Sequence, residues 1–268
     1  SRYTKAKLIC ITGSNGKTTT TMLTYMLFKS AGYSVGLGGN IGQSFALQVA
    51  EQNYDYYVLE ISSFQLDNMY SFKADVAILT NITPDHLDRY NYEFQNYIDS
   101  KFRILQNMTK DGVFIYSQDC EVTMRELSKR TIIPQAVPVS TKNELSKGGF
   151  IKDECLQVIL TDKTPFSMAI NEMLLRGKHN YANALAATIS AKSCNVKDKQ
   201  IRESLANFKS IEHRLEVLPF QVRGVTFIND SKATNVNSVF YALDSIQDPI
   251  IWIVGGQDKG NDYSELVE

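Results

Sequence analysis

Gly13, Ser14, Asn15, Gly16, Lys17, Thr18 and Thr19 lie in one loop, between an apolar run (Leu8 to Ile11) and an amphipathic segment. Two glycines followed by a lysine and a hydroxyl make a phosphate cradle. Backbone N–H groups and a helix N-terminus surround an anion, the lysine neutralises the outer phosphates, and the threonine hydroxyl reaches Mg²⁺. The general pattern G-x-x-x-x-G-K-[ST] is broken at its first glycine, where Ile11 stands. The loop is T-G-x-x-G-K-T, a spacing that narrows the family without weakening the expectation of a bound triphosphate. The bland alternative is a glycine turn beside a solvated lysine.

Other residues could complete such a site. Glu60 closes the apolar run Tyr57-Val58-Leu59, and an acid at the end of a buried strand beside a triphosphate is placed to bind Mg²⁺. Its alternative is a solvent-facing strand end. His86 follows Pro84-Asp85 soon after another apolar run. Imidazole is an unusual partner for Mg²⁺, which prefers oxygen, so spacing alone leaves His86 open between ligand and packed residue. Lys101 shares a helical stripe with Phe94, Tyr97, Ile98 and Leu105. A lysine there usually carries its ammonium to the surface along an aliphatic stem. The sharper reading is that it points into the site as a carbamate, a long carboxylate made by adding CO₂ to a neutral amine. Asn40 lies in the glycine turn Gly38 to Gly42, suited either to a plain turn or to close approach of a sugar or pyrophosphate. Asn180 and Asn183 share a helix face at i,i+3, where Asn180 is either an N-cap or, with Asn183, a reader of a purine edge. Arg214, the run Asn229 to Asn235 (with Asp230, Lys232 and Thr234) and the loop Gly255 to Gly260 (with Lys259) are polar stretches at strand ends.

These residues need a scaffold that delivers strand ends to one side. Apolar runs at 8–11, 34–37, 56–59, 76–79 and 113–116 alternate with helical patterns at 18–31, 44–52, 92–106 and 121–129. Such alternation predicts βαβ units and a mostly parallel α/β sheet with its ligand site at the strand C-terminal ends. Residues 149–175 carry short alternating runs without a helix, an antiparallel β patch appended to that sheet. Helices are expected at 179–192 and 197–208, then strands at 215–222, 225–229 and 250–254 around a helix at 235–245. A boundary near Ser210 divides a larger domain (1–210) from the start of a second, incomplete Rossmann-like α/β domain (211–268).

The 268 residues hold 28 Lys and Arg against 29 Asp and Glu, a net charge of -1. This balance gives no support to nucleic acid or a membrane surface as partner. The four cysteines lie far apart without a C-x-x-C pair and read as reduced thiols of a cytoplasmic protein. No apolar run reaches the roughly 18 residues of a membrane span. A chain that opens on Ser1 and stops at Val267-Glu268 reads as a piece of a longer polypeptide.

Together the motifs T-G-S-N-G-K-T, G-N-I-G, L-E-I-S-S-F-Q-L, T-P-D-H-L-D-R-Y, H-N-Y-A-N-A-L, H-R, N-D-S-K-A-T-N and G-G-Q-D-K-G resemble the Mur ligases, ATP-dependent amide-forming enzymes of bacterial peptidoglycan synthesis. Several are shared with the related folylpolyglutamate synthetases. Glu60 to Leu66 is more selective and looks like the D-glutamate-adding branch, which acts on UDP-N-acetylmuramoyl-L-alanine. The resemblance covers essentially the whole chain and implies roles. Gly13 to Thr19 would hold ATP, with Thr18 and Glu60 on one Mg²⁺, and His86 and a carbamylated Lys101 on a second metal (Mn²⁺ could substitute). Asn40, Ser62 and Gln65 would meet the UDP-sugar, and Asn180 and Asn183 the adenine. Arg214 would bridge to the phosphates, Asp230 would hold the ribose, and Lys232, Thr234 and Lys259 would lie near the incoming amino acid. Lys17, Lys101, His86, Arg214 and Lys232 form the implied catalytic set of a monomeric enzyme. Rival readings are a ligase with another acceptor or amino acid, and a P-loop switch that hydrolyses nucleotide without any carboxylate acceptor.

Overall fold

In a computed structural model of the chain, the described residues are 2–208, 213–256 and 263–266. They fall into two compact units, Ser1–Phe208 and Lys209–Glu268. The first unit is built on strands β1 (Lys7–Thr12), β2 (Val35–Gly39), β3 (Tyr56–Glu60), β4 (Val76–Leu79), β5 (Val113–Ser117), β6 (Gln135–Ser140), β7 (Gly148–Lys152), β8 (Cys155–Ile159) and β9 (Phe166–Ala169). They form one sheet in the order β2-β3-β1-β4-β5-β6-β7-β8-β9. Pairing is parallel from β2 through β7 and antiparallel for β7-β8 and β8-β9. Side chains from Leu8 to Thr12 are all buried, as are those of β3 and β4. These central strands are covered on both faces, which is why their sequences are continuously apolar and not alternating.

The helices are α1 (Lys17–Ser30), α2 (Phe45–Glu51), α3 (Ser63–Asp67), α4 (Phe94–Phe102), α5 (Glu121–Leu127), α6 (Lys178–Ser193) and α7 (Asp198–Asn207). One sheet face gathers Cys10, Leu59, Ile61 and Leu79 against Leu66, Tyr97, Ile98 and Phe102. α1 packs with α6 and α7. β1 and β3 end beside each other, Ile11 opposite Glu60, so the loop after β1 and the acid closing β3 emerge together.

Three differences from the sequence expectation have local causes. β6 was not expected, because Pro138 and two exposed residues at its start hide the pattern of a strand. α4 starts at Phe94 and not Tyr92, since Asn91 and Tyr92 are left-handed (φ 56° and 59°), and its last turn tightens to a 3₁₀ turn at Arg103–Leu105. α3 is a short helix that apolar periodicity does not announce.

The second unit contains a hairpin of β10 (Glu216–Val222) and β11 (Val225–Asn229), helix α8 (Val236–Asp244) and a short 3₁₀ turn, Ser264–Leu266. The strand expected at 250–254 is absent: these residues join no ladder, and Ile251 and Ile253 are about nine-tenths exposed (87% and 91%). An apolar run becomes a strand only when a neighbour takes its backbone hydrogen bonds, and none of the described residues does.

Candidate active site

Helix α1 begins at Gly16, whose φ of 82° lies in the left-handed region, and no side chain caps it. The first N–H groups of a helix have no partner within the helix, so this start is formed like an anion site. Gly13, at φ 144°, is equally constrained, because a Cβ there would stand 1.9 Å from Thr80 Oγ1. A polar frame holds the loop between them. The Asn15 N–H donates to Asn81 Oδ1 (2.9 Å), and Thr80 Oγ1 and Asn81 Nδ2 donate to the Asn15 carbonyl at 2.6 and 3.1 Å. Ser14 Oγ donates to the Thr83 carbonyl (2.8 Å), accepts from the Thr83 N–H (2.9 Å) and lies 3.0 Å from the Tyr97 hydroxyl. Thr80, Asn81 and Tyr97 were missed as site residues. Their signal was in the sequence: a Thr-Asn pair closing a strand beside the glycine loop, and a hydroxyl on an otherwise apolar stripe.

Lys17 Nζ donates to the carbonyls of Gly13 (2.9 Å) and Ser14 (2.8 Å). Lys101 approaches the same Gly13 carbonyl from α4, at 2.8 Å, and Thr12 Oγ1 at 3.4 Å. It is only 2% exposed, and its Nζ lies 5.0 Å from the centre of the Tyr97 ring. The snorkelling alternative is therefore not adopted: the amine turns into the site. Burial, reinforced by the Lys17 ammonium, pushes the Lys101 amine well below the usual lysine range, against the opposing pull of the Asp85, Glu60 and Asp67 carboxylates. Burial of this kind disfavours the charged form of a lysine.

Glu60 is 2% exposed. Its Oε1 accepts from Asn40 Nδ2 at 2.9 Å, and the Asn40 N–H donates to the Glu60 carbonyl at 2.8 Å. Its Oε2 has no hydrogen-bond partner among the described residues. A buried carboxylate oxygen left without a donor is costly, and a hard divalent cation is the partner that suits it. Among the described residues, no group of three or more His, Cys, Asp and Glu converges as a metal cage. The residues present suit a cation shared with phosphate oxygens, as Mg²⁺ usually is. His86 sits at φ 53°, edge-on to Phe64 with ring centroids 5.1 Å apart, its Nε2 3.7 Å from Asp85 Oδ2.

Asn183 meets α1 directly. Its Oδ1 accepts from Thr20 Oγ1 at 3.1 Å, and a Cβ on Gly16 would lie 2.5 Å from it. Asn180 Nδ2 donates to the Arg176 carbonyl at 2.7 Å. The N-cap of α6 is Gly177, so Asn180 is not the cap but sits inside the first turn. Ser62 and Gln65 have local employment: Ser62 N–H donates to Gln65 Oε1 (2.9 Å), and Gln65 N–H to Ser62 Oγ (3.3 Å), a complete capping box for α3.

Arg214, Asp230, Lys232 and Thr234 belong to the second unit. There the Asp230 carboxylate accepts from the Leu215 N–H at 3.0 Å. Burial raises the Asp230 pKa, against that hydrogen bond and the Arg214 charge. The Lys232 N–H donates to the His213 carbonyl at 3.2 Å, and Asn235 caps α8 through the Ser238 N–H. Lys259 lies outside the described residues.

Comparison with known proteins places this arrangement. Residues 11–191 match the family described as the Mur ligase middle domain. The chain is 54% identical over 267 residues to the UDP-N-acetylmuramoylalanine--D-glutamate ligase of Bacteroides fragilis, and 48% identical over 269 residues to the protein of that name from Porphyromonas gingivalis. It covers 100% and 99% of its own length in these matches but 60% and 59% of theirs, so it spans about 60% of the length of these relatives. Among solved structures, MurF from Acinetobacter baumannii aligns with a TM-score of 0.70 at 20% identity, over 91% of this chain and 54% of that one. A pseudomurein peptide ligase type C from Methanothermus fervidus aligns at 0.69 and 21%, over 91% and 57%. Over more than half its length, with the phosphate loop inside the matched region, the chain belongs to the Mur ligase family.

Proposed function

We propose that this chain is the ATP-binding centre, with the first part of the amino-acid-binding domain, of a monomeric cytoplasmic ligase that adds D-glutamate to UDP-N-acetylmuramoyl-L-alanine. In this reading residues 1–210 are the central domain and 211–268 the beginning of the next. The observation that carries the ligase reading is Lys101, buried and turned onto the Gly13 carbonyl of the phosphate loop. A nucleotide switch has no use for a second lysine, buried, beside Lys17 there. Identity of 54% over the whole chain to D-glutamate ligases supports the amino acid.

A carboxylate resists attack by an amine because it is anionic and lacks a leaving group. ATP removes the obstacle: a carboxylate oxygen takes the γ-phosphoryl group, ADP leaves, and an acyl phosphate forms. The D-glutamate amine then adds to the acyl carbon, and collapse of the tetrahedral adduct expels phosphate and leaves an amide. The chain's share is positioning and charge neutralisation. The loop from Gly13 to Thr19 cradles the phosphates, Lys17 and Arg214 balance their charge, Asn180 and Asn183 hold the adenine, and Asp230 holds the ribose. Asn40, Ser62 and Gln65 orient the UDP-sugar, while Lys232, Thr234 and Lys259 receive the amino acid. Thr18 and Glu60 would hold one Mg²⁺, and His86 with Lys101 as its carbamate a second (or Mn²⁺), supplying further neutralisation of the phosphates. The test is phosphate release by the full-length protein given ATP, UDP-N-acetylmuramoyl-L-alanine and D-glutamate. Release that requires all three is expected. Release with ATP alone would sink the ligase reading, and preference for another amino acid would sink its specificity.

A further inference from the structure

Helix α4, which delivers Lys101, is poorly equipped to hold itself in place. It has nine residues, no side-chain cap at Glu93, and a last turn that tightens into a 3₁₀ turn. Helices this short are marginal without outside support. Lys101, Tyr97 and Ile98 face inward, Gln95 and Asp99 reach helix α5 and the residues after it, and Phe102, buried in the same core as Tyr97 and Ile98, also meets Arg130 (the three spaced i, i+4, i+7).

The hub on that side is Glu126, a carboxylate whose side chain is 2% exposed. Its Oε2 accepts from Gln95 Nε2 at 3.2 Å and from an Arg130 Nη at 2.9 Å. Its Oε1 accepts from Lys129 Nζ at 3.1 Å and from Arg125 Nε at 3.4 Å. Arg130 also donates to Asp99 Oδ1, and its guanidinium carbon lies 4.6 Å from the centre of the Phe102 ring. All three α4 residues on this stripe are thus tied to one buried charge, directly or through Arg130. A carboxylate buried this deeply is destabilising unless fully paired, and none of the chemistry derived above uses it.

We propose that Glu126 is a positioning residue: with Arg130 it clamps α4 through Gln95, Asp99 and Phe102, and so sets the Lys101 amine against the Gly13 carbonyl. A shift of α4 by about 1 Å would move that amine off a 2.8 Å contact, and misplacement of this size can cost up to roughly a hundredfold in rate. The kinetic arm rests on the ligase reading; the labelling arm does not.

The experiment compares the full-length protein with Glu126→Gln, Asp99→Asn and Lys192→Met. Glu126→Gln keeps the volume and removes the charge. Asp99→Asn removes only the outer arm and keeps the test alive if the first variant folds poorly. Lys192, buried, pairs with the exposed Asp198 at 2.6 Å where α6 meets α7, so Lys192→Met removes a buried charge from an ion pair elsewhere. In CO₂-free buffer, where Lys101 is a free amine, its labelling by acetic anhydride, read by peptide mass, should be about tenfold faster in Glu126→Gln, with Asp99→Asn between it and the wild type. In the same protein kcat should fall about tenfold with the KM for ATP within about twofold. Lys192→Met should lower Tm to a similar degree and change neither. If Glu126→Gln and Asp99→Asn lower Tm while Lys101 labelling stays at the wild-type rate, the clamp is structural only and the proposal fails. If the wild type makes no amide, the ligase reading fails while labelling still decides the clamp.

Discussion

Two helices of the first unit begin close to the ends of adjacent strands, and they begin in opposite ways. α1 starts at Gly16 with no side-chain cap, inside a loop whose side chains and carbonyls are already braced by Asn81, Thr80 and Thr83. α3 starts at Ser62 with both halves of a capping box made, Ser62 to Gln65 and Gln65 back to Ser62. An uncapped helix start leaves its loop without a side-chain cap to displace, whereas a capped one has used its side chains on itself. In the proposed reaction the first start takes phosphates without rearrangement. Ser62 and Gln65 reach substrate only through groups the capping bonds leave over. α6 is a second uncapped start, at Gly177, and it touches the first through Asn183 and Thr20.

The largest expected effect tests the uncapped start. Lys17→Met removes two hydrogen bonds to loop carbonyls, a loss of about 1 kcal/mol each at most, because water can replace the ammonium as donor in a half-buried loop. The effect on phosphate transfer should be far larger, on the order of 10²- to 10³-fold in kcat, as for other removed transition-state donors. Phosphate-release kinetics and a thermal melt of the same protein separate the two. A variant that keeps its rate within tenfold of wild type would mean that α1 does not begin at a phosphate site.

A smaller effect tests the capped start. Ser62→Ala should lower stability by about 1 kcal/mol, the usual cost of losing a serine cap, and Ser62→Gly by only a few tenths. Because the Ser62 hydroxyl spends itself on Gln65, the KM for the UDP-sugar should rise less than about fivefold in either variant. Denaturant unfolding and substrate titration measure both quantities. A large rise in KM without loss of stability would reverse the comparison and make Ser62 chiefly a substrate residue.

Much of this organisation could be read before any coordinates. The phosphate loop, the β1-to-β5 alternation and the placement of Glu60 at a strand end all follow from local patterns, because a two-face-buried parallel sheet writes itself as continuous apolar runs. Lys101 was harder: its position on an apolar stripe is local, but whether its amine turns inward depends on the Gly13 carbonyl and Tyr97 ring, which reach it through tertiary packing. The brace made by Thr80 and Asn81 is non-local in the same way, joining residues more than sixty positions apart. β6 was hidden by Pro138, and the apolar run at 250–254 promised a ladder partner that a single sequence segment cannot guarantee. The S-x-x-Q signature of the α3 capping box stands in the sequence but went unread, because apolar periodicity does not announce so short a helix.

The smallest effect concerns the start of α6. His179 lies in its first turn, half-buried, and burial lowers its pKa below the ordinary value of 6.5. The positive end of a helix also disfavours a second positive charge. With the folded pKa below the unfolded one, the unfolded chain binds more protons between the two values. Stability therefore rises with pH across that window, is fully present above about 6.5, and falls as acid protonates the ring. Replacing His179 by Gln removes the titration and keeps a polar side chain. The Tm difference between the two proteins should be constant from pH 8 to about 7 and should then shift in favour of the variant as pH is lowered further. Parallel curves down to pH 5 would mean that the ring protonates as easily in the folded protein as in the unfolded chain. In that case the start of α6 would tolerate positive charge, and the kinship drawn between it and the anion-seeking start of α1 would be lost.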